Sequence, residues 1–310
     1  MKTLIQVFFF FLICPMTVLK AEVATTEGYI PVQGGNLFFT GIGEGEPLVL
    51  VHGGPGLDHS YFLPQMELLA KKYKLIFYDQ RACGKSSVNV GTETLNMNQF
   101  VEDLEALRKF FKLEKMNLLG HSFGGLIAMR YAIKYPENLK TLLLINSSAA
   151  TSAWRDSSFS MMVKRNDPET TAISEALMKT DAFKKRDPDT MAYFFRLLFK
   201  KSFYFQEKVE ELTLKFQPSY PETSLLMNHL YNDSSLISYD LNSDLKKLKM
   251  PVLILATEAD IISPVAVSEL HENIKTSKYV FIEECGHFPF IEQPQLFLNA
   301  IDRFFGKKQE

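Results

Sequence analysis

Cysteine is scarce in this chain, with three in 310 residues, and no Cys/His cluster has the spacing of a zinc finger. That excludes a disulfide-rich scaffold and a structural zinc module. An excess of one charge is also missing, since 34 Lys and Arg face 36 Asp and Glu for a formal net charge of −2. There is no basic surface to recruit nucleic acid and no acidic tail. Internal repeats and low-complexity tracts are absent as well, which removes solenoids and arrays. What remains is a chain with 46% hydrophobic residues, enough to bury a full core as one large domain or one domain with an insertion.

The first 21 residues stand apart. Lys2 precedes Leu4-Ile5-Gln6-Val7-Phe8-Phe9-Phe10-Phe11-Leu12-Ile13, followed by Cys14-Pro15 and a region ending near Ala21. A positive start, a short apolar run and a small residue read as a secretory signal peptide, so the protein is expected to be exported, periplasmic or extracellular. The run is too short for a comfortable membrane span, and no stable membrane insertion is expected once it is removed. Removal leaves Cys83 and Cys285. Their strands are expected several positions apart in a sheet whose neighbours are spaced about 4.8 Å, so two buried free thiols are expected rather than a disulfide.

After the leader, Gly28-Tyr29-Ile30-Pro31-Val32 and Asn36-Leu37-Phe38-Phe39-Thr40, joined by Gln33-Gly34-Gly35, predict a hairpin. Four apolar runs follow: Pro47–Val51, Lys74–Tyr78, Met116–Leu119 and Thr141–Ile145. Strands apolar on both faces belong to a parallel sheet covered on both sides. An amphipathic pattern from Phe100 to Phe111 predicts a helix between two of them. From about Ser147 to Lys246 the chain reads as helical, charged and aromatic, with Phe194-Phe195, Phe199, Phe203-Tyr204-Phe205 and Tyr231. Strand–helix alternation resumes with Met250–Ala256, Tyr279–Ile282 and a last helix over Phe297–Phe305. The expected organisation is therefore a leader at 1–21, an α/β core first half at 22–146, a helical cap at 147–246 and a core second half at 247–310.

Chemistry concentrates at Gly120-His121-Ser122-Phe123-Gly124-Gly125. Gly-x-Ser-x-Gly between a strand and a helix is the pattern of a sharp turn that exposes a nucleophilic serine on a strained backbone. A serine hydroxyl needs a base to take its proton and a carboxylate to orient that base. Such groups belong on loops beyond the carboxyl ends of parallel strands. Asp260 and His287 lie there in the order Ser, Asp, His. Glu258 is the alternative carboxylate. His121, inside the turn, points its ring away from the hydroxyl. His52 braces its loop, Asp79 supports its own, and His59, His229 and His271 are read as surface or cap residues. Negative charge developing on a substrate carbonyl needs donors: the N–H of Phe123, directly after Ser122, and that of Gly54 in the glycine loop His52-Gly53-Gly54-Pro55-Gly56.

Those segments, with Phe77-Tyr78-Asp79-Gln80-Arg81-Ala82-Cys83-Gly84-Lys85-Ser86 and Gly286-His287, resemble the proline iminopeptidase family of α/β-hydrolases. The resemblance implies the α/β-hydrolase fold, a mostly parallel sheet flanked by helices with an inserted helical cap. It also implies removal of an N-terminal residue, often proline, from short peptides through a serine acyl-enzyme, without metal or cofactor. Three positions depart from the family pattern. Ala82 stands where glycine is usual, and Leu226-Met227-Asn228-His229 carries methionine where a glutamate holding the substrate amine is implied. Ile261 likewise follows Asp260 where some relatives have glutamate. Glu207, Glu210, Glu211 and Glu222 are the other carboxylates of the cap. A carboxylesterase acting on small esters is the alternative, suited to an aromatic cap without those amine-binding groups. Epoxide hydrolase and dehalogenase chemistry is excluded because it needs aspartate at position 122.

Overall fold

The computed structural model describes residues 25–86, 90–154, 165 and 167–306. The expected leader lies outside them. Eight strands form one sheet: β1 (Thr25–Val32), β2 (Gly35–Ile42), β3 (Glu46–Val51), β4 (Tyr73–Tyr78), β5 (Met116–His121), β6 (Leu139–Ile145), β7 (Val252–Thr257) and β8 (Ser277–Ile282). Their spatial order is β1-β2-β4-β3-β5-β6-β7-β8. β1 and β2 pair antiparallel, β2 meets β4 antiparallel, and every pair beyond is parallel.

The central strands are apolar on both faces because both faces are covered, and alternate residues part to opposite sides. Val49, Val51, Ile76, Leu118, Leu142, Leu144, Val252 and Ile254 enter one core layer. Leu48, Leu50, Leu75, Leu119, Leu143, Ile145, Leu253 and Leu255 enter the other. Burying each such side chain contributes about 1.5–3 kcal/mol. The first layer is closed by α1 (Met97–Phe110) and α2 (Phe123–Lys134). In α1 the stripe Met97, Phe100, Val101, Leu104 and Leu107 follows helical spacing, and Asn96 caps the start by accepting from the Gln99 N–H at 3.0 Å.

Among the described residues between β6 and β7 there are three longer helices, α3 (Pro168–Met178), α4 (Pro188–Lys200) and α5 (Tyr220–Tyr231). Asp167 and Asp187 cap the first two through side-chain acceptors. The pairing of Thr151 with Asp240 is an isolated bridge in this stretch. After β7 come α6 (Pro264–Asn273) and, after β8, α7 (Pro294–Phe305), which ends on Gly306 at φ 71°. α6 adds Val267 and Leu270 to the first layer, and α7 adds Phe297 and Ile301 to the second. No helix among the described residues is long and apolar enough to cross a membrane. Cys83 and Cys285 are free and buried, one in each layer.

Candidate active site

Ser122 joins β5 to α2 with φ 56° and ψ −124°. A non-glycine residue there stores about 1–3 kcal/mol of strain and needs surroundings that fix it. Its N–H donates to the Ile145 carbonyl at 3.2 Å, and its own carbonyl accepts from the N–H groups of Gly125 (2.9 Å) and Ser148 (3.0 Å). The turn is possible because α2 starts hard against β3: a Cβ on Gly124 would run into the Val51 carbonyl. Serine at a helix N-cap ordinarily spends its oxygen on an N–H of the first turn, but Ser122 makes no side-chain cap bond. Its hydroxyl, half-buried at the head of α2, is left uncommitted among the described residues.

His287 follows β8 and Asp260 follows β7. The His287 Nδ1 lies 2.5 Å from Asp260 Oδ1, with both side chains almost wholly buried. The same carboxylate oxygen accepts from the Ile262 N–H at 3.0 Å, which fixes its direction. Glu258 is exposed and spends its carboxylate on the Glu284 N–H. The His287 backbone is clamped from two sides. Its N–H donates to the Ser202 carbonyl at 2.7 Å, and its carbonyl lies 2.8 Å from His121 Nε2. The His121 and His287 rings are 4.8 Å apart, so His287 stands beside the residue that precedes Ser122.

The glycine loop reaches the same point. A Cβ added to Gly53 would sit 2.9 Å from the Ser122 Cβ, so only glycine permits this approach. The Gly53 N–H donates to the Tyr61 hydroxyl at 2.6 Å, whereas among the described residues neither Gly54 N–H nor Phe123 N–H enters a loop or cap bond. His52 braces the loop: its Nδ1 meets the Gly53 carbonyl at 2.8 Å and its Nε2 accepts the Gln80 N–H at 3.0 Å. Burial pulls the His52 pKa down to about 4, against the charge of nearby Asp79, which pulls the other way.

His59 corrects the sequence reading. It is not a surface residue: its ring lies 2.6 Å from Asp79 Oδ1 and only 12% of its side chain is exposed. Burial lowers its basicity, but the hydrogen bond and charge of Asp79 outweigh that and hold it above the ordinary histidine value. Asp79 also accepts from the His59 and Lys85 N–H groups, the loop support expected of it. Aromatics of the segment between β6 and β7 reach the histidine loop as well. Phe203 is buried and stacks on Phe288 at 5.0 Å, and Phe199 meets the same ring at 5.4 Å. Part of that aromatic run therefore packs against the His287 loop. Met227 is buried with its side chain near Gly56, while Glu207, Glu210, Glu211 and Glu222 are exposed.

Four contributors escaped the sequence reading. Asn146 and Thr257, at the ends of β6 and β7, both donate to the Gly286 carbonyl, at 3.1 and 2.8 Å. Glu292 accepts from the N–H groups of Gly286 (2.6 Å), Tyr204 (2.7 Å) and Phe205 (2.9 Å), tying the inserted segment to the histidine loop. Tyr61 is the fourth. None belongs to a motif. Each acts through partners distant in sequence, and only the position of Asn146 and Thr257 at strand ends could have flagged them.

A sheet of this order, with a strained serine turn after its fifth strand and an Asp–His pair beyond its last two, defines a hydrolase scaffold. The chain belongs to the α/β-hydrolase family, whose alpha/beta hydrolase fold matches residues 46–294. Within it, the chain is 30% identical over 293 residues to a proline iminopeptidase of Lactobacillus helveticus, covering 92% of this chain and 99% of that one. It is 28% identical over 284 residues to a proline iminopeptidase of Clostridioides difficile, covering 89% of this chain and 96% of that one. Among solved structures, a thermophilic esterase from Thermogutta terrifontis is 25% identical with a TM-score of 0.68, covering 91% of this chain and 98% of that one. The protein is a hydrolase.

Proposed function

We propose that the protein is a serine aminopeptidase that removes an N-terminal residue, proline favoured, from short peptides. The chemistry rests on one observation: an uncapped serine on a strained turn, next in sequence to His121, whose ring lies 4.8 Å from that of the buried, Asp260-bonded His287. Ser122 Oγ attacks the carbonyl carbon of the first residue while His287 takes its proton. Asp260 orients the ring and stabilises the imidazolium. The carbonyl oxygen, now negative, accepts from the N–H groups of Gly54 and Phe123, the second at the positive end of α2. Collapse breaks the peptide C–N bond, and His287 gives its proton to the departing amine. The acyl group stays on Ser122. Water, deprotonated by His287, then attacks this ester; the free amino acid leaves and the proton returns to Ser122.

Support for the peptide substrate is the similarity to proline iminopeptidases over about nine-tenths of the chain. A second reading, a carboxylesterase, is favoured by buried Met227 near the glycine loop and by the likeness to the Thermogutta esterase. An apolar side chain there receives an acyl group better than a charged amine. Purified protein offered aminoacyl arylamides and short-chain nitrophenyl esters separates the two. Turnover of the prolyl arylamide that vanishes when its amine is acylated is expected. Ester turnover without aminoacyl preference overturns the peptidase reading in favour of the esterase.

A further inference from the structure

We propose that Tyr61 and His121 form a charge-neutral relay that positions the three reacting loops relative to one another. This inference rests on the serine-hydrolase reading above. Its basis is a hydrogen-bonded line whose direction, for a neutral His121 ring, is fixed at every link. The Gly53 N–H can only donate, so the Tyr61 oxygen accepts it, at 2.6 Å. With the His121 ring neutral and its hydrogen on Nε2, Nδ1 accepts the Tyr61 hydrogen, 2.8 Å away. His121 Nδ1 is thereby an acceptor and carries no proton. The opposite nitrogen, Nε2, faces the His287 carbonyl at 2.8 Å, which can only accept, so Nε2 bears the hydrogen. One tautomer of one neutral imidazole satisfies all three contacts.

The line spans the site. Gly53 belongs to the loop that offers Gly54, His121 precedes Ser122, and the carbonyl at the end belongs to His287 itself. Tyr61 and His121 are each only 1% exposed. Rings of Phe62, Phe288 and Phe290 surround them, with centroids 5.4–6.0 Å from that of His121. Buried hydrogen bonds of this kind hold geometry firmly because breaking one strands a donor away from water. The relay also consumes the Gly53 N–H and so keeps it from competing with Gly54 for the carbonyl oxygen. Tyr61 and His121 touch neither substrate nor reacting atoms in this account. They are positioning residues, and small displacements of reacting groups can cost up to about 10²-fold in rate.

The test removes the central hydroxyl with Tyr61→Phe and sets it against Tyr131→Phe, which deletes another buried hydroxyl, one that donates to Glu105 at 2.8 Å far from the site. The expected result is a fall in kcat of about ten- to a hundredfold for Tyr61→Phe with KM within about twofold, and equal slowing of fluorophosphonate labelling of Ser122. Tyr131→Phe should leave kcat within about twofold. Equal kcat in the two variants overturns the relay. A readout independent of turnover is NMR of isotope-labelled histidine in the wild type. His121 as the neutral Nε2–H tautomer at neutral pH is expected, whereas an imidazolium or an Nδ1–H ring overturns the relay whatever the substrate proves to be. If the tautomer is as expected but Ser122→Ala keeps turnover, the serine reading fails and the relay as a positioning device falls with it.

Discussion

Ser122 shows how one residue's backbone sets its chemistry. At an ordinary N-cap the hydroxyl would bond the first turn of the helix; at φ 56° it does not, and the oxygen stays available. Ser122→Ala is therefore expected to reduce turnover by at least about 10³-fold and to abolish fluorophosphonate labelling. The unfolding free energy should change by less than about 1 kcal/mol, since alanine inherits the same strained angle and no cap bond is lost. Denaturant melts alongside rates check both halves. His52 makes a second residue-scale case, with its pKa pulled from 6.5 to about 4 by burial. Between those values the unfolded chain binds the proton and the folded one does not, so stability falls as pH drops from about 6.5 toward 4, by up to about 3 kcal/mol. His59 works the other way: its raised value adds stability below 6.5 that fades as pH climbs through its folded pKa. In His52→Gln, denaturation midpoints measured at several pH values should fall less steeply on acidification than in the wild type. An unchanged slope would assign the acid loss to other groups.

At the scale of elements, the legible parts were those whose cause is local. β3, β5, β6 and β7 announce themselves because both faces are buried, and the Gly-x-Ser-x-Gly turn because α2 cannot start against Val51 with a side chain at 124. His59 misled because nothing near it in sequence shows that Asp79, twenty positions on, folds beneath its ring. Glu292 was invisible for the same reason. It lies in the short turn Pro289–Glu292 and reads as a solvated acid, yet its carboxylate gathers three N–H groups from two separate segments. Replacing it with glutamine puts an amide that donates where one of those N–H groups also donates. Glu292→Gln should lower the unfolding free energy by about 2–3 kcal/mol. Amide exchange at Tyr204, Phe205 and Gly286 should quicken together, because one side chain holds all three. Unaltered protection at Tyr204 and Phe205 would mean that the aromatic packing on Phe288, rather than this carboxylate, anchors the inserted segment.

Across the whole molecule, one sheet separates two apolar layers, and each layer holds one cysteine. Cys83 lies with Val90, Leu95 and α1 on one side; Cys285 lies with Phe288, Phe290 and α7 on the other. Burial pushes both thiols well above the ordinary cysteine value, so neither offers a thiolate to a reagent from the folded state. Labelling must wait for an opening, and the two sites report openings of opposite faces. The layers share every central strand, since alternate residues of β3 to β7 serve each. One face cannot lose its strands without the other. In a chain carrying Cys14→Ser, a neutral thiol reagent should therefore modify Cys83 and Cys285 with the same opening free energy, rising together with denaturant along the unfolding curve. Faster modification of Cys285 alone would show that the histidine loop, with the segment bound to it through Glu292 and Ser202, lifts from the sheet while the strands stay paired.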